Sequence, residues 1–474
     1  MIAHNVVAIL PLLIMTAAPV ALMIFIAVRR NHALCFVLST AAVAAALLSV
    51  PLALSSAPRQ ATPLLIIDAY ALFFTALILL AGLSVLLLSF DYLRIHEESR
   101  EEFYVLLLTA CLGSMILAAS SHFASFFLGL EVLSVSLYTL IAYLRINAFC
   151  IEAGLKYLIL AAFSSAIVLF GMALVYARSG TLALAGISPA MASGAADPAL
   201  LAGTVMIVVG IGFKLAVVPF HMWAPDIYEG APAPVAGFVA TVSKGSVFAF
   251  LLRWLLEPAL VSGSPLGTIF ALVAVLSMFA GNLLALFQDN VKRLLAYSSI
   301  AHMGYLLVAF LASGPHRVMV SLFYLAAYFV TSLGAFGVIT VLSAKDRDAD
   351  SLDDFRGLSS RRPWIAGVFT AMLLSLAGIP LTAGFIGKFF MISAGVVSNQ
   401  WLLVASLVVT SAIGLFYYLR VLVVLYLPEP PADANPVPFR PLGMITLTAL
   451  IVLLVGLGVY PGPLMDWITA MTAR

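Results

Sequence analysis

The fold is decided by the stretch Leu200 to Pro219, an apolar run that ends Gly212-Phe-Lys-Leu-Ala-Val-Val-Pro. Its length is close to the ~20 residues that an α-helix needs to cross a bilayer. A lysine lies near its end and a proline follows, and proline removes a backbone donor and interrupts a helix. The stretch therefore predicts a membrane-spanning helix that breaks beside a charged side chain.

The composition extends this prediction to the whole chain. Of the 474 residues, 64% are hydrophobic and only 9% are charged, whereas soluble proteins carry about 25% charged residues. A water-soluble domain cannot bury this much apolar surface, so we expect an all-α polytopic membrane protein. The formal net charge of +2 gives no support to nucleic-acid binding.

About fourteen apolar segments of spanning length follow one another along the chain. The first, within Met1 to Arg30, lacks the basic start and the cleavage site of a signal peptide, so we interpret it as a membrane helix. The predicted segments are Val6–Ala27, Leu34–Leu54, Leu65–Phe90, Phe103–Ala119, Phe123–Leu144, Gly154–Ala177, Leu200–Val218, Pro234–Leu256, Leu266–Phe287, Lys292–Ala312, Val318–Ser343, Trp364–Val397, Trp401–Leu427 and Leu442–Ile468.

Proline and glycine interrupt the seventh and the twelfth segments, near Pro219 and Pro380, and each break has a lysine within two turns. Interrupted helices at corresponding positions of two halves are typical of inverted-repeat transporters, whose site lies at the breaks. We therefore predict helices 1–3 in residues 1–102, two inverted five-helix repeats in 103–256 and 257–427, and a last helix in 428–474.

The loops differ in their content of lysine and arginine. With the N-terminus outside, the even-numbered loops and their edges hold little more than Arg59, Arg178, Arg253 and Arg317. Because cytoplasmic loops are the basic ones, this asymmetry predicts that both termini face outward. The basic residues of the odd-numbered loops are Arg29, Arg30, Arg94, Arg100, Arg145, Lys292, Arg293, Lys345, Arg347, Arg356, Arg361, Arg362 and Arg440.

Five ionisable residues lie well inside apolar segments: Glu131, Lys156, Lys214, Lys244 and Lys388. Each costs about 2.5–3.5 kcal/mol at the centre of a membrane helix, which favours a functional role. Lys156 lies near the start of its helix, so a side chain that extends to the headgroups is an equal alternative there. Glu131 has no cation nearby in the sequence, and we expect Lys214 to be its partner.

Lysine suits a proton pathway because burial lowers the pKa of an amine and a nearby carboxylate raises it again. His221 and His302 are further candidates for a relay, although a lone histidine is more often structural. Weaker polar candidates in the same segments and at their edges are Tyr228, Ser298, Ser299, Asp68, Asp226 and Asp289.

The sequence gives no sign of a cofactor or metal site. Cys35, Cys111 and Cys150 lie in apolar runs and form no CxxC or Cys/His cluster, so we expect them to be buried thiols. The chain also contains no GxGxxG after a strand, no GxxxxGK[ST] and no HExxH.

Several motifs resemble the antiporter-like subunits of bacterial respiratory complex I, the NADH–quinone oxidoreductase. Phe213 to Pro234 is similar to their common signature, and the resemblance is specifically to subunit N, the counterpart of mitochondrial ND-two. It covers nearly the whole chain. The further motifs are Glu152–Tyr157 with Ser164-Ser165, Thr241–Gly245, Gln288–Tyr305, Asp354–Leu358 and Gly378–Lys388.

The resemblance implies fourteen helices, two inverted five-helix repeats and broken helices 7 and 12. It implies that Glu131 and Lys214 form a charge pair and that Lys244 and Lys388 are further proton stations. By the same resemblance, the chain is a non-redox, proton-translocating subunit in the bacterial inner membrane, with periplasmic termini. Flavin, iron–sulfur clusters and quinone are expected in other subunits, and the expected neighbours are subunits M, K, J, A and H and the lipid bilayer.

Two other functions stay open from the sequence alone. A subunit of a multi-subunit sodium/proton antiporter or of a membrane-bound hydrogenase complex would share the Lys214 region, although Glu152–Tyr157 and Lys244 argue against it. In a membrane anchor without transport, the buried charges would only hold helices together.

Overall fold

The computed structural model describes residues 6–96, 99–145, 147–187, 197–255, 264–314, 316–345, 347–428 and 440–472. Thirteen of its helices are long and apolar enough to cross a membrane, and two shorter apolar helices, Pro363–Ala377 and Ala383–Val397, follow each other in the chain. Taken together as one interrupted span, these two bring the total to fourteen. The all-α membrane fold predicted from composition is thus confirmed.

The helices succeed one another along the chain, as expected when successive segments cross the same bilayer. In chain order they are α1 (Leu10–Val28), α2 (His32–Leu54), α3 (Ala69–His96), α4 (Glu101–Ala119), α5 (Phe123–Ile141), α6 (Ala148–Ser179), α7 (Pro198–Leu215), α8 (Trp223–Gly230), α9 (Ala233–Phe238), α10 (Lys244–Trp254), α11 (Pro265–Ala285), α12 (Val291–Leu311), α13 (His316–Leu342), α14 (Leu358–Arg361), α15 (Pro363–Ala377), α16 (Ala383–Val397), α17 (Trp401–Tyr426), α18 (Pro441–Val459) and α19 (Gly462–Thr472).

The chain packs into two compact units. The first comprises Met1–Leu86, Ser99–Ala216 and Val242–Thr268. Within it α4 packs on α5, and α6 packs on α7. Gly171 of α6 and Gly203 of α7 face each other, and a Cβ atom at either would meet the other's carbonyl oxygen at 2.7 Å. Small residues at such a crossing let two membrane helices approach closely.

The second unit comprises Leu87–Glu98, Val217–Thr241 and Ile269–Arg474. Its centre is α13, which packs against α12, α15, α16 and α18. The two units are defined by which residues pack together, whereas the predicted repeats are defined by internal symmetry. The units therefore do not test the repeats, which stay a prediction.

Both predicted breaks are present in the structure. Helix α7 ends at Leu215, and Ala216 follows in the left-handed region with φ 55°. Helix α8 resumes only at Trp223. Likewise α15 ends at Ala377 and α16 begins at Ala383. Each break frees backbone carbonyls from helical hydrogen bonds at the end of the preceding helix.

Three local features differ from the predicted boundaries. An antiparallel hairpin, β1 (Arg59–Thr62) with β2 (Leu65–Ile67), precedes α3, so the third span begins after it and not at Leu65. A π-helical turn, Val239–Ser243, interrupts the eighth span. The last span ends at Val459 and not at Ile468, because Pro461 cannot supply the amide that a continuous helix needs.

Candidate functional site

Glu131 lies on α5 and is half-buried. One of its carboxylate oxygens accepts a hydrogen bond from the Ser165 hydroxyl of α6, at 2.5 Å. The side chain of Glu131 is therefore held by a neutral donor.

Lys214 lies in the last turn of α7, and only 2% of its surface is exposed. Its ammonium donates to the Ser134 hydroxyl at 2.7 Å and lies 5.3 Å from the centre of the Tyr157 ring. Ser134 is one turn beyond Glu131 on α5, so the ammonium reaches the helix that carries the carboxylate. Among the described residues, no ion pair within 4.0 Å joins Lys214 to Glu131. Lys214 instead contacts Ser134, which lies one turn from Glu131 on α5.

Lys244 is the first residue of α10, directly after the π-helical turn, and it is fully buried. Single π-turns inside a helix occur frequently at functional sites. The side chain is therefore placed in the interior of the eighth span, as expected from the sequence.

His302 is the centre of a hydroxyl cluster in the second unit. Its Nδ1 lies 2.6 Å from the Tyr324 hydroxyl and its Nε2 lies 3.3 Å from the Tyr418 hydroxyl. The Tyr418 hydroxyl also lies 2.5 Å from the Ser298 hydroxyl. We call His302, Ser298, Tyr324 and Tyr418 the histidine cluster. Every polar side chain in it can both donate and accept a hydrogen bond, with the tautomer of the imidazole set by its partners.

The predicted candidates Ser299 and Tyr228 lie beside this cluster. The Tyr328 hydroxyl donates to Ser299 at 2.8 Å, and the Tyr228 hydroxyl is 3.4 Å from the same serine. All three side chains are buried.

Lys388 lies on α16 and its ammonium reaches back to the break before that helix. It donates to the carbonyls of Leu376 and Ala377, at 2.9 and 3.0 Å, and to the Ser411 hydroxyl at 2.6 Å. The Tyr305 ring centre lies 5.0 Å from the ammonium. We call Lys388, Ser411 and these two carbonyls the lysine cluster. The break supplies the acceptors that a buried ammonium requires.

Lys156 and His221 have different surroundings. Lys156 is exposed on α6 and forms an ion pair with Glu152 at 2.8 Å, one turn earlier. His221 lies in the break between α7 and α8 and is 8% exposed. Its Nδ1 has no hydrogen-bond partner in the described part of the chain.

Two of the weaker acidic candidates make structural contacts. The Asp68 carboxylate caps α3 through the amide of Ala71 and accepts two hydrogen bonds of 2.8 Å from the Arg253 guanidinium. Asp289 is largely exposed, 3.7 Å from Arg420.

A buried ionic cluster holds the start of α12. The Lys292 ammonium donates to the carbonyl of Ala231 and to Asp348, both at 2.7 Å. Asp348 also accepts from the hydroxyls of Tyr92 and Ser343. Burial alone raises the pKa of Asp348, but Lys292 and the hydroxyl donors outweigh it and hold the pKa below its usual value.

Arg293, next in the chain, extends this contact to α8. Its guanidinium donates to Asp226 at 2.8 Å and to Glu229 at 2.6 Å. We call Lys292, Arg293, Asp348, Asp226 and Glu229 the α8 clamp. Asp226, a weaker site candidate, thus belongs to a contact that fixes α8.

The sequence did not single out Asn282, Tyr324, Tyr418, Ser134 or Ser411, and it included Ser165 and Tyr305 only as parts of family motifs. Hydroxyl and amide side chains are common in membrane helices, so nothing in their spacing distinguished them. Their proximity to the lysines and the histidine follows only from the packing of different helices.

The described residues contain no group of three or more histidine, cysteine, aspartate or glutamate side chains placed to hold a metal ion. Cys35, Cys111 and Cys150 are free and buried.

Comparisons with known proteins agree on one family. The model of the family "NADH:quinone oxidoreductase/Mrp antiporter, TM" matches residues 120–414. The NADH-quinone oxidoreductase subunit N of Ectopseudomonas mendocina is 48% identical, over 98% of this chain and 96% of that protein. The subunit N of Methylococcus capsulatus is also 48% identical, over 97% of this chain and 94% of that protein.

Solved structures show the same fold. A chain of the respiratory complex I of Thermus thermophilus with bound aureothin is 33% identical and superposes with a TM-score of 0.83, over 96% of this chain and 98% of that one. A chain of the Mrp complex of Dietzia sp. is 20% identical, with a TM-score of 0.85 over 100% of this chain and 97% of that one. This second likeness concerns the fold alone. The chain belongs to the subunit N family of the NADH-quinone oxidoreductases.

Proposed function

We propose that this chain translocates protons in the membrane arm of an NADH–quinone oxidoreductase. The observation that carries the proposal is the set of three lysines and one carboxylate inside membrane-spanning helices, with the ammonium groups of Lys214 and Lys388 on hydroxyl or carbonyl acceptors. Membrane proteins keep such expensive groups at ion pathways and proton relays.

The surroundings of these groups suit proton exchange. A serine or tyrosine hydroxyl can accept one proton and release another, whereas a carbonyl only accepts. Glu131, Lys214 and their serines lie in the first unit, and Lys388 with the histidine cluster lies in the second. Each unit therefore contains at least one titratable station surrounded by groups that can pass or stabilise a proton.

We propose that the chain carries no redox group and that quinone reduction in other subunits drives it. Flavin, iron–sulfur clusters and quinone then belong to partner subunits, and the membrane subunits M, K, J, A and H are the expected neighbours. The names of the relatives support this assembly. The location is the bacterial inner membrane, with both termini on the periplasmic side.

The proposal is tested in the complex purified from native membranes and reconstituted in liposomes. Glu131→Gln and Lys214→Ala should each lower proton release per NADH and coupled turnover, while the complex still assembles. Asp353→Asn, which changes an exposed carboxylate, serves as the control. Normal turnover with normal pumping in both variants would contradict the assignment of these residues.

A further inference from the structure

A buried amide lies between the histidine cluster and the lysine cluster. Asn282 lies on α11 and is 1% exposed. Its Nδ2 donates to the carbonyl of Met278 at 2.8 Å and to the Tyr305 hydroxyl at 2.9 Å. Its Oδ1 accepts from the Tyr417 hydroxyl at 3.1 Å. Tyr305 faces the ammonium of Lys388, and Tyr417 contacts Tyr418 of the histidine cluster, with ring centres 4.3 Å apart.

The hydrogen bonds fix which way the amide points. The carbonyl of Met278 can only accept, so the atom of Asn282 that faces it must be the NH2 group. That group has two hydrogens, and both are used, one on Met278 and one on Tyr305. The amide oxygen on the other side can only accept, so Tyr417 must donate to it.

The direction of the hydrogen bond at each of the two tyrosine hydroxyls is consequently fixed. The Tyr417 proton points at Asn282. The Tyr305 hydroxyl accepts from Asn282, so its own proton points away, towards the side where Thr410 and Ser411 are its neighbours. A proton passes along hydrogen bonds only through groups that accept one proton and release another. A neutral amide does neither readily, unlike a hydroxyl or an imidazole.

The packing around Asn282 keeps the amide in place. A Cβ atom at Gly414 of α17 would meet the amide oxygen at 2.8 Å. Only glycine there leaves the amide room to lie against α17 and reach both tyrosines.

We propose that Asn282 is a proton barrier between the histidine cluster and the lysine cluster. Along the hydrogen bonds of the described residues, a proton passes between the two clusters when the amide swings aside or water enters beside it. A pump needs such an interruption, because a permanently conducting route between stations would let the gradient discharge. This inference rests on the proposed function: it assigns a barrier within the route, whereas the proposed function assigns the stations.

Three substitutions in the intact complex test the barrier. Asn282→Asp keeps the shape and supplies a group that can relay a proton. Asn282→Ala leaves space for water. Gly414→Ala keeps the amide but pushes it away from its position. Asn147→Asp is the control: Asn147 caps α6 through the amide of Phe149, and aspartate serves equally well as an N-cap.

We expect all three test variants to retain electron transfer while protons released per NADH fall by half or more. Passive proton leak through the reconstituted complex at rest should rise, and Asn147→Asp should match the wild type in both measurements. A purely structural role for Asn282 would lower assembly and electron transfer together and leave protons per NADH and the leak unchanged.

Wild-type stoichiometry and wild-type leak in any assembled test variant would overturn the barrier. If the substitutions at Asn282 prevent assembly, the measurements on Gly414→Ala decide whether the barrier exists. If none of the three variants assembles, the role of Asn282 is structural. Failure of the proposed function is distinct, because the wild-type complex itself would then release no protons.

Discussion

At the scale of single residues, Glu131, Lys214 and Lys388 form their hydrogen bonds with neutral groups. Lys214 bonds to Ser134 and Glu131 to Ser165, while Lys388 bonds to two carbonyls and a serine. A direct ion pair would favour the charged state of both partners. Serine contacts stabilise a charge less strongly, and this agrees with the proton exchange that we propose for these groups.

The first prediction concerns Ser134. Replacing it by alanine removes the hydroxyl acceptor of Lys214, and a hydrogen bond to a charged group contributes about 1.5–3 kcal/mol. We expect Ser134→Ala to slow coupled proton release severalfold without loss of assembly. Ser136→Ala is the matched control, because Ser136 is buried on the same helix and, in the described part of the chain, its hydroxyl bonds to the carbonyl of Val132. Equal pumping by the two variants would show that the contact has no role in transport.

The second prediction concerns Lys388. Arginine keeps the positive charge but does not release its proton in proteins. Lys388→Arg should therefore assemble and couple poorly, while Lys345→Arg, a change in an exposed loop, should behave as the wild type. The measurement is the ratio of protons released to NADH oxidised. Wild-type coupling in Lys388→Arg would mean that the charge alone matters at this position.

The sequence predicted the buried charges but not their contacts. Glu131, Lys214, Lys244 and Lys388 stood out because a charge in an apolar run is energetically costly. Ser134, Ser411 and Asn282 did not stand out, since a hydroxyl or amide costs little in a membrane helix and is frequent there. Which helices bring these groups together depends on packing between distant segments.

At the scale of elements, hydropathy predicted the spans and proline predicted the breaks. The errors lie where hydropathy carries no information. The strand β2 (Leu65–Ile67) is as apolar as the helix that follows, and the kink at Pro461 lies inside an apolar run. The residues of the π-helical turn before Lys244 do not differ in composition from those of an ordinary membrane helix.

The α8 clamp gives the third prediction. Removing one partner of a buried ion pair costs about 3–5 kcal/mol, so Lys292→Met should destabilise the chain within the complex. The pKa of Asp348 in the folded chain is below its usual value. Its contribution to stability is therefore present above the unfolded pKa of about 3.9 and is lost as pH falls through the folded value.

Thermal melting of the detergent-solubilised complex, followed between neutral pH and pH about 3, measures this effect. The melting temperature of the wild type should fall as the pH approaches about 3, and it should fall less in Asp348→Asn. Arg347→Ala is the control, since that guanidinium forms an exposed contact with Asp354 in the same loop. If the melting temperature of Asp348→Asn falls at low pH as much as that of the wild type, other carboxylates cause the loss of stability.

At the scale of the whole molecule, fourteen spans predict that both termini lie on the same side of the membrane, because an even number of crossings returns the chain to its starting side. Helix α19 has 11 residues and rises about 17 Å, too short for a bilayer core of about 30 Å. It therefore adds no crossing. The excess of lysine and arginine in the odd-numbered loops predicts that this side is the periplasm.

The fourth prediction follows from this topology. A reporter that is active only outside the cytoplasm, fused after Arg474, should be active. A second fusion in the loop between α13 and α15, which is rich in lysine and arginine, should be inactive with the same reporter. The reverse pattern would overturn the topology and the sidedness of every loop.

The last prediction concerns the ion. Sodium requires several oxygen ligands, usually including carboxylates and freed carbonyls. Among the described residues, no three histidine, cysteine, aspartate or glutamate side chains are placed to hold a metal ion. The carbonyls freed at the second break, those of Leu376 and Ala377, accept from the Lys388 ammonium, which would also repel a bound cation.

We therefore expect proton transport that continues at the same rate when sodium is removed from the reconstituted complex. A protonophore should abolish the pH gradient, and restoring sodium should change neither the rate nor the number of protons per NADH. Labelled sodium uptake during turnover, measured in parallel, should equal that of liposomes without the complex. Ion uptake that depends on sodium and persists after the protonophore has collapsed the pH gradient would show that sodium is the transported ion.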